Sequence, residues 1–294
     1  MITLPEHWGV RFTPTVHTHA EGPTDPRKNK LHPKFVVVVT GAGKGLGYHI
    51  ALAYAQAGAH GVVIASRTKS DLLRLEEEIR STAPDSIVLV QTCDTQSDDD
   101  VKRLADATKA MFGRLDVVVA NAGIISKYLE GPDGKQRLPI GVVEDTDFDR
   151  VINTNFMGSY RVAKHFVPQL VDTKDGPQAF VCITSLAALT TSSDLTPIAY
   201  NLSKIGNNRM VQHIHNDHKK DGVQAFAVHP GAVLTPQTEM HHTTQLGVGW
   251  TELLTDDREW LSGRYLSAAW DVDELTAMKD EIVEGDKLVM RMVV

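Results

Sequence analysis

The sequence predicts a doubly wound α/β fold: a parallel sheet with helices on both faces, in three layers. Three observations carry this. Beyond residue 34, short β-branched runs alternate with longer amphipathic stretches. Val36–Val39 and Val117–Val119 are unbroken apolar runs, as strands buried on both faces require. Strand and helix also take turns along the chain, the order that builds a parallel sheet.

Taken in order, residues 1–34 hold Pro5, Pro14, Pro23, Pro26 and Pro33 among charges and read as an irregular arm. Residues 35–294 read as one domain, because no repeat, low-complexity tract or linker divides them. Strands are expected over 35–40, 61–66, 87–91, 116–120, 179–184 and 223–229. Helices are expected over 45–57, 70–81, 97–111, 147–171 and 198–220.

Bulk properties narrow the function. A net charge of −7 gives no basic face for nucleic acid. No window reaches the ~18–20 unbroken apolar residues of a membrane helix. The N-terminus lacks the apolar core of a secretory signal. Cys93 and Cys182 each sit in an apolar, strand-like run, so buried free thiols in a reducing compartment are expected. A cytoplasmic location follows as the expectation.

Thr40-Gly41-Ala42-Gly43-Lys44-Gly45-Leu46-Gly47 follows the first strand and opens the first helix. Glycines there let the backbone approach a pyrophosphate, which then meets the unpaired N–H groups of a helix N-terminus. About twenty residues on, a Rossmann-type fold chooses its cofactor: an acid bonds a ribose 2′-OH, and a cation accepts a 2′-phosphate. This chain has Ser66-Arg67 there with no acid, and Lys44 in the loop, so NADP(H) is expected over NAD.

Tyr200 and Lys204 are i and i+4 on a predicted helix and share a face. A free phenol is a poor proton exchanger below pH ~10, and an ammonium beside it favours the phenolate. The pair alone is weak, and its company makes it specific. Asn121-Ala122-Gly123 ends the fourth strand, Asn155 lies in the long helix, Ser185 ends the fifth strand and Pro230-Gly231 closes the sixth. Ligands bind outside the carboxyl ends of such strands, where these residues gather.

Together the motifs resemble the short-chain dehydrogenase/reductase family, over most of residues 35–267. The resemblance implies hydride transfer between NADP(H) and a small carbonyl or secondary alcohol. It assigns Tyr200 as the proton donor and Ser185 as the group holding the substrate oxygen. Lys204 would bind the nicotinamide ribose, and Asn155 would hold a water of a proton relay. Gly41, Gly43, Lys44, Gly45, Leu46, Gly47, Ser66, Arg67, Asp94, Asn121, Ala122, Gly123, Pro230, Gly231, Val233 and Thr235 would contact cofactor, with Asp94 beside adenine. No metal is implied, and a homodimer or homotetramer is. Val151, Ile152, Phe156, Val162 and Phe166 either supply part of its interface or pack on the sheet.

Two departures from the family pattern stand out. Ser185 to Tyr200 is two residues longer than usual. The last-strand signal at Ser262-Gly263 arrives early by about one helix of ~15–20 residues, which predicts either an abbreviated substrate lid over roughly 232–262 or a missing segment at a join near residues 256–259. His213, His215 and His218 do not align on one helix face and read as solvated. His241 and His242 fall in the lid. Trp250, Leu253, Leu254 and Trp260 either line a pocket or join the core. Two other functions fit the scaffold: an NADP(H)-binding regulatory protein without turnover, and an epimerase or isomerase.

Overall fold

A computed structural model describes residues 5–28, 30–231 and 258–292. The first four strands of the sheet are valine-rich stretches, each too β-branched and too apolar to favour a solvated helix. Strands β1 (Val36–Thr40), β2 (Gly61–Ser66), β3 (Ile87–Thr92) and β4 (Val117–Ala120) are followed by a two-stranded ribbon, β5 (Leu129–Glu130) and β6 (Gln136–Arg137). Then come β7 (Ala179–Ile183), β8 (Gln224–His229) and β9 (Tyr265–Ser267). The main sheet has seven strands in the order β3-β2-β1-β4-β7-β8-β9, all parallel. The order reverses between β1 and β4, so the crevice for a ligand opens at their carboxyl ends.

Helices α1 (Gly45–Gln56), α2 (Lys69–Thr82) and α3 (Asp98–Phe112) cross between the first strands. Short α4 (Gly141–Glu144) and α5 (Phe148–Ile152) lead into a π turn at Asn153–Met157, then α6 (Gly158–Asp172) and α7 (Ile198–His218). The chain closes with α8 (Val272–Ala277) and α9 (Lys279–Glu284). Local signals set several ends. Ser97 caps α3 by accepting the Asp100 N–H at 3.2 Å, and Gly113 ends it at φ +66°.

Two expectations change here, and one alternative is decided. The helix foreseen over 147–171 is interrupted by the π turn, which puts one extra residue into the ladder around Asn155. Val151, Val162 and Phe166 are at most 1% exposed, and Val162 and Phe166 pack with Val118, Phe180 and Cys182 under the sheet. They are core rather than interface, because full burial of one such side chain contributes roughly 1.5–3 kcal/mol. Ile152 and Phe156 are half-buried, with Phe156 against the same cluster. Finally, Cys93 lies just past β3 rather than within a strand; both thiols are buried and free, and burial raises the pKa of each.

The arm has little regular structure of its own, and side chains moor it. Val16 forms a bridge with Trp270, whose Nε1–H donates to the Gly9 carbonyl at 2.9 Å. His17 lies between Glu21 and Asp271 at 2.7 and 2.8 Å. His32 reaches the fully buried Asp116, which also accepts from Arg114 and the Val36 N–H.

The predicted lid falls at residues 232–257 outside the described part. Val233, Thr235, His241, His242, Trp250, Leu253 and Leu254 lie there, as do Asp256 and Asp257 of the expected join. Trp260 is half-buried, packs against the core and stands under the Lys279 ammonium.

Candidate active site

The glycine loop is shaped by what stands against it. Gly41 has φ +68°, and a Cβ there would lie 2.8 Å from Ala122 Cα. A Cβ on Gly47 would lie 2.4 Å from Asn121 Nδ2 and 2.5 Å from the Gly41 carbonyl oxygen. Only glycine fits either position. The motif at the end of β4 ties down the same loop. Asn121 Nδ2 donates to the carbonyls of Thr40 at 2.9 Å and Gly41 at 3.3 Å, and the Asn121 N–H donates to Thr40 Oγ1 at 3.1 Å.

One side of the loop meets the end of β2. A Cβ on Gly43 would press on Ser66 Oγ at 2.7 Å and Asp71 Cβ at 3.1 Å. Ser66 is half-buried and Arg67 exposed, beside the cavity as expected. No acid stands at Ser66-Arg67 itself, but one that sequence reading passed over lies close by. Asp71, in the first turn of α2, is 7% exposed and lines the same cavity. Burial opposes its charge, and Lys44 and Arg74 outweigh that, so its pKa is lowered overall. Lys44 Nζ is 3.3 Å from Asp71 Oδ2, off the hydrogen-bonding direction, and Arg74 bonds Oδ1. Lys44 is therefore already paired rather than a free cation. Composition near a strand end does not reveal an acid that α2 folds back into the site.

Across the cavity, Lys204 is 4% exposed and its Nζ donates to the Ile183 carbonyl at 2.8 Å. The same ammonium lies 5.4 Å from the Tyr200 ring centroid. Ser185 caps a single 3₁₀ turn, Leu186–Leu189, and its Oγ accepts the Ala187 N–H at 3.2 Å. That bond occupies a lone pair and leaves the hydroxyl proton to be donated elsewhere.

The side chain of Asn155 does not reach Tyr200 or Lys204. Its Oδ1 accepts the Ile124 N–H at 2.8 Å, and its Nδ2 donates to the Ile124 carbonyl at 2.9 Å and to Ser203 Oγ at 3.0 Å. Its carbonyl is taken by Ser159 Oγ and Asn207 Nδ2. Asn155 is a strut between the end of β4 and α7, which makes it a positioning residue here. Asp94 lines the cavity while its Oδ1 accepts the Gln96 N–H at 3.0 Å. Ala122, Gly123, Gly45, Leu46, Pro230 and Gly231 line it as well.

Apart from Gly47 and Asn155, which stand behind its wall, the expected site residues that the structure describes line one cavity of about 670 Å³ running from Ser66 to Thr196. Sequence reading passed over one further member, His229. Its Nδ1 accepts the Leu186 N–H at 3.2 Å. Burial, helped by the Lys204 charge, lowers its pKa to about 4. Its place beside Pro230-Gly231 was the available signal. The histidines on α7 face elsewhere: His215 bonds Ser262 and His218 bonds Asp221. No metal-holding cluster occurs among the described residues.

A parallel sheet with this crevice and a glycine cradle at its switch point has the architecture of a Rossmann-type oxidoreductase. The short chain dehydrogenase family model matches residues 35–246, and the chain belongs to that family. It is 37% identical over 313 residues to the short chain dehydrogenase pgmD of Aspergillus terreus, covering 99% of this chain and 96% of that one. Among solved structures it resembles a 7α-hydroxysteroid dehydrogenase complexed with NADH and 7-oxo glycochenodeoxycholic acid. That match has a TM-score of 0.67 at 23% identity, over 85% of this chain and 96% of the other. It also resembles an NADPH-bound short-chain oxidoreductase with an atypical catalytic center from Pseudomonas aeruginosa PAO1. There the TM-score is 0.68 at 19% identity, over 81% and 96% of the chains.

Proposed function

We propose that the protein transfers hydride between NADP(H) and a carbonyl or secondary alcohol, with Tyr200, Lys204 and Ser185 as its catalytic residues. The observation that carries this reading is their convergence with the glycine loop on one cavity. The loop fits a dinucleotide because Gly41, Gly43 and Gly47 leave a cradle that a Cβ would fill. Gly41 to Gly47 and Asn121 would hold the pyrophosphate half, and Lys204 the nicotinamide ribose. The bound cofactor would supply the hydride.

The chain's own groups handle the oxygen. Ser185 donates its hydroxyl proton to the substrate oxygen, since its acceptor side is committed to Ala187. Tyr200 gives its phenolic proton to that oxygen as the carbon is reduced, and takes it back in the oxidative direction. Lys204, held by the Ile183 carbonyl, keeps a positive charge beside the Tyr200 ring. A panel of neutral ketones and secondary alcohols, followed by NADPH absorbance, tests the reading. Turnover of some members with NADPH is expected. NADPH binding without turnover of any would favour a regulatory binder.

We further propose a homo-oligomer. With Val162 and Phe166 spent on the core, Tyr160, Leu202 and Ile205 are the exposed apolar side chains on α6 and α7. Light scattering is expected to give a multiple of the 32.3 kDa chain mass at micromolar concentration. A monomer there refutes it, and Leu202→Glu should dissociate the assembly.

A further inference from the structure

We propose that His229 is a positioning residue for Ser185, fixing through its Nδ1 the turn that carries the serine. This rests on the reading that Ser185 holds the substrate oxygen. Strands β7 and β8 pair up to their ends, where the Thr184 N–H donates to the Val228 carbonyl at 2.9 Å. Beyond that point the chains part, with Ser185 and Leu186 turning into the 3₁₀ helix and Pro230 following on β8. The Leu186 N–H opens that helix and has no partner within it. His229 supplies one from its side chain, so the β7–β8 connection continues to the Leu186 amide, two residues past the last backbone donor, Thr184.

The ring is held on its other side too. His229 stacks on Tyr265 with centroids 6.4 Å apart and planes 14° apart. Tyr265 meets the edge of Trp270 at 6.1 Å, and Trp270 is anchored by the Gly9 carbonyl and the Phe12 ring at 5.1 Å. An imidazolium has no lone pair for Leu186, and Lys204 in the same cavity disfavours a second cation. The ring is thus neutral with its proton on Nε2. Ser185 is one residue from this anchor and its Oγ accepts the Ala187 N–H, so the turn that orients the serine hydroxyl is pinned from outside at the Leu186 amide. Releasing the first lets the hydroxyl drift, and a shift of ~1 Å at such a group can cost ~10² in rate.

Three substitutions separate the roles the ring can play. His229→Leu removes the acceptor. His229→Asn puts an amide oxygen where Nδ1 stands. His229→Gln puts an amide where Nε2 stands. We expect His229→Leu to lower kcat by about 10- to 100-fold with cofactor Kd unchanged, Asn to restore most of it, and Gln to behave like Leu. On a Ser185→Ala background, His229→Leu should cost little more, because its effect runs through the serine. Hydrogen exchange at the Leu186 amide should quicken in the Leu and Gln variants and stay slow in Asn, whatever the enzyme's substrate. Unchanged kcat in a folded Leu variant overturns the proposal. So does a loss that adds in full to Ser185→Ala, or rescue by Gln in place of Asn. If Ser185 is not the oxygen-holding group, Ser185→Ala keeps full turnover while the exchange pattern holds, so the two failures are distinguishable.

Discussion

Tyr200→Phe is expected to bind cofactor as the wild type does and to lose turnover by about 10²- to 10⁴-fold, the usual size of a lost general acid–base group. Only the phenolic oxygen is removed, and the ring that stands 5.4 Å from the Lys204 ammonium remains. The fold should be unaffected, since Tyr200 is half-buried at the cavity wall and outside both core clusters. Lys204→Ala should harm binding and turnover together. It removes the charge beside the ring and leaves the Ile183 carbonyl without its donor in a buried place. Cofactor titration by fluorescence and single-turnover kinetics separate the two effects. Substantial residual turnover in Tyr200→Phe would remove the assigned mechanism.

The second large effect is expected at the cofactor's 2′ position, where we propose a preference for NADPH. A 2′-phosphate brings nearly two negative charges to the end of β2. Ser66 offers a hydroxyl there, and Arg67 is exposed with its guanidinium available to fork onto phosphate oxygens. Arg67→Ala should weaken NADPH about 10- to 100-fold and leave NADH nearly unchanged. Ser66→Asp should move preference toward NADH. Lys44 is a different case because Asp71 already holds it. Lys44→Ala should therefore weaken NADPH less than Arg67→Ala does, since the phosphate must share that ammonium with a buried carboxylate. Equal affinity of the wild type for both cofactors, or tighter NADH, would end the NADP assignment and leave the Tyr200 chemistry standing.

Much of this site was legible before any coordinates. Strands of a parallel sheet all point the same way, so motifs at successive strand ends must lie along one edge. The glycine loop, Asn121-Ala122-Gly123, Ser185 and Pro230-Gly231 each sit at such an end, the Tyr200–Lys204 pair lies on the helix that follows Ser185, and they line one cavity. Their order along the chain and their resemblance to the family pattern singled them out, and a four-residue step on α7 put Tyr200 and Lys204 on one face.

By itself, then, the sequence determined the order of strands and helices, the cradle and the residues at the strand ends. Those follow from local periodicity and from steric demands that a single residue type meets. Tertiary structure alone decided which partners those residues take. Asp71 became part of the cofactor cavity because α2 packs against Gly43, 28 positions back in the chain. His229 came to hold Leu186 across 43 positions, and Trp270 to moor the arm across 261. The apolar stripe of α6 was plain in the sequence, but only packing turned Val162 and Phe166 inward and left Tyr160 outside. A side chain's own chemistry states that it must be buried or bonded. Which distant group satisfies it depends on how whole elements stack, and that is settled only when the sheet and its helices close on one another.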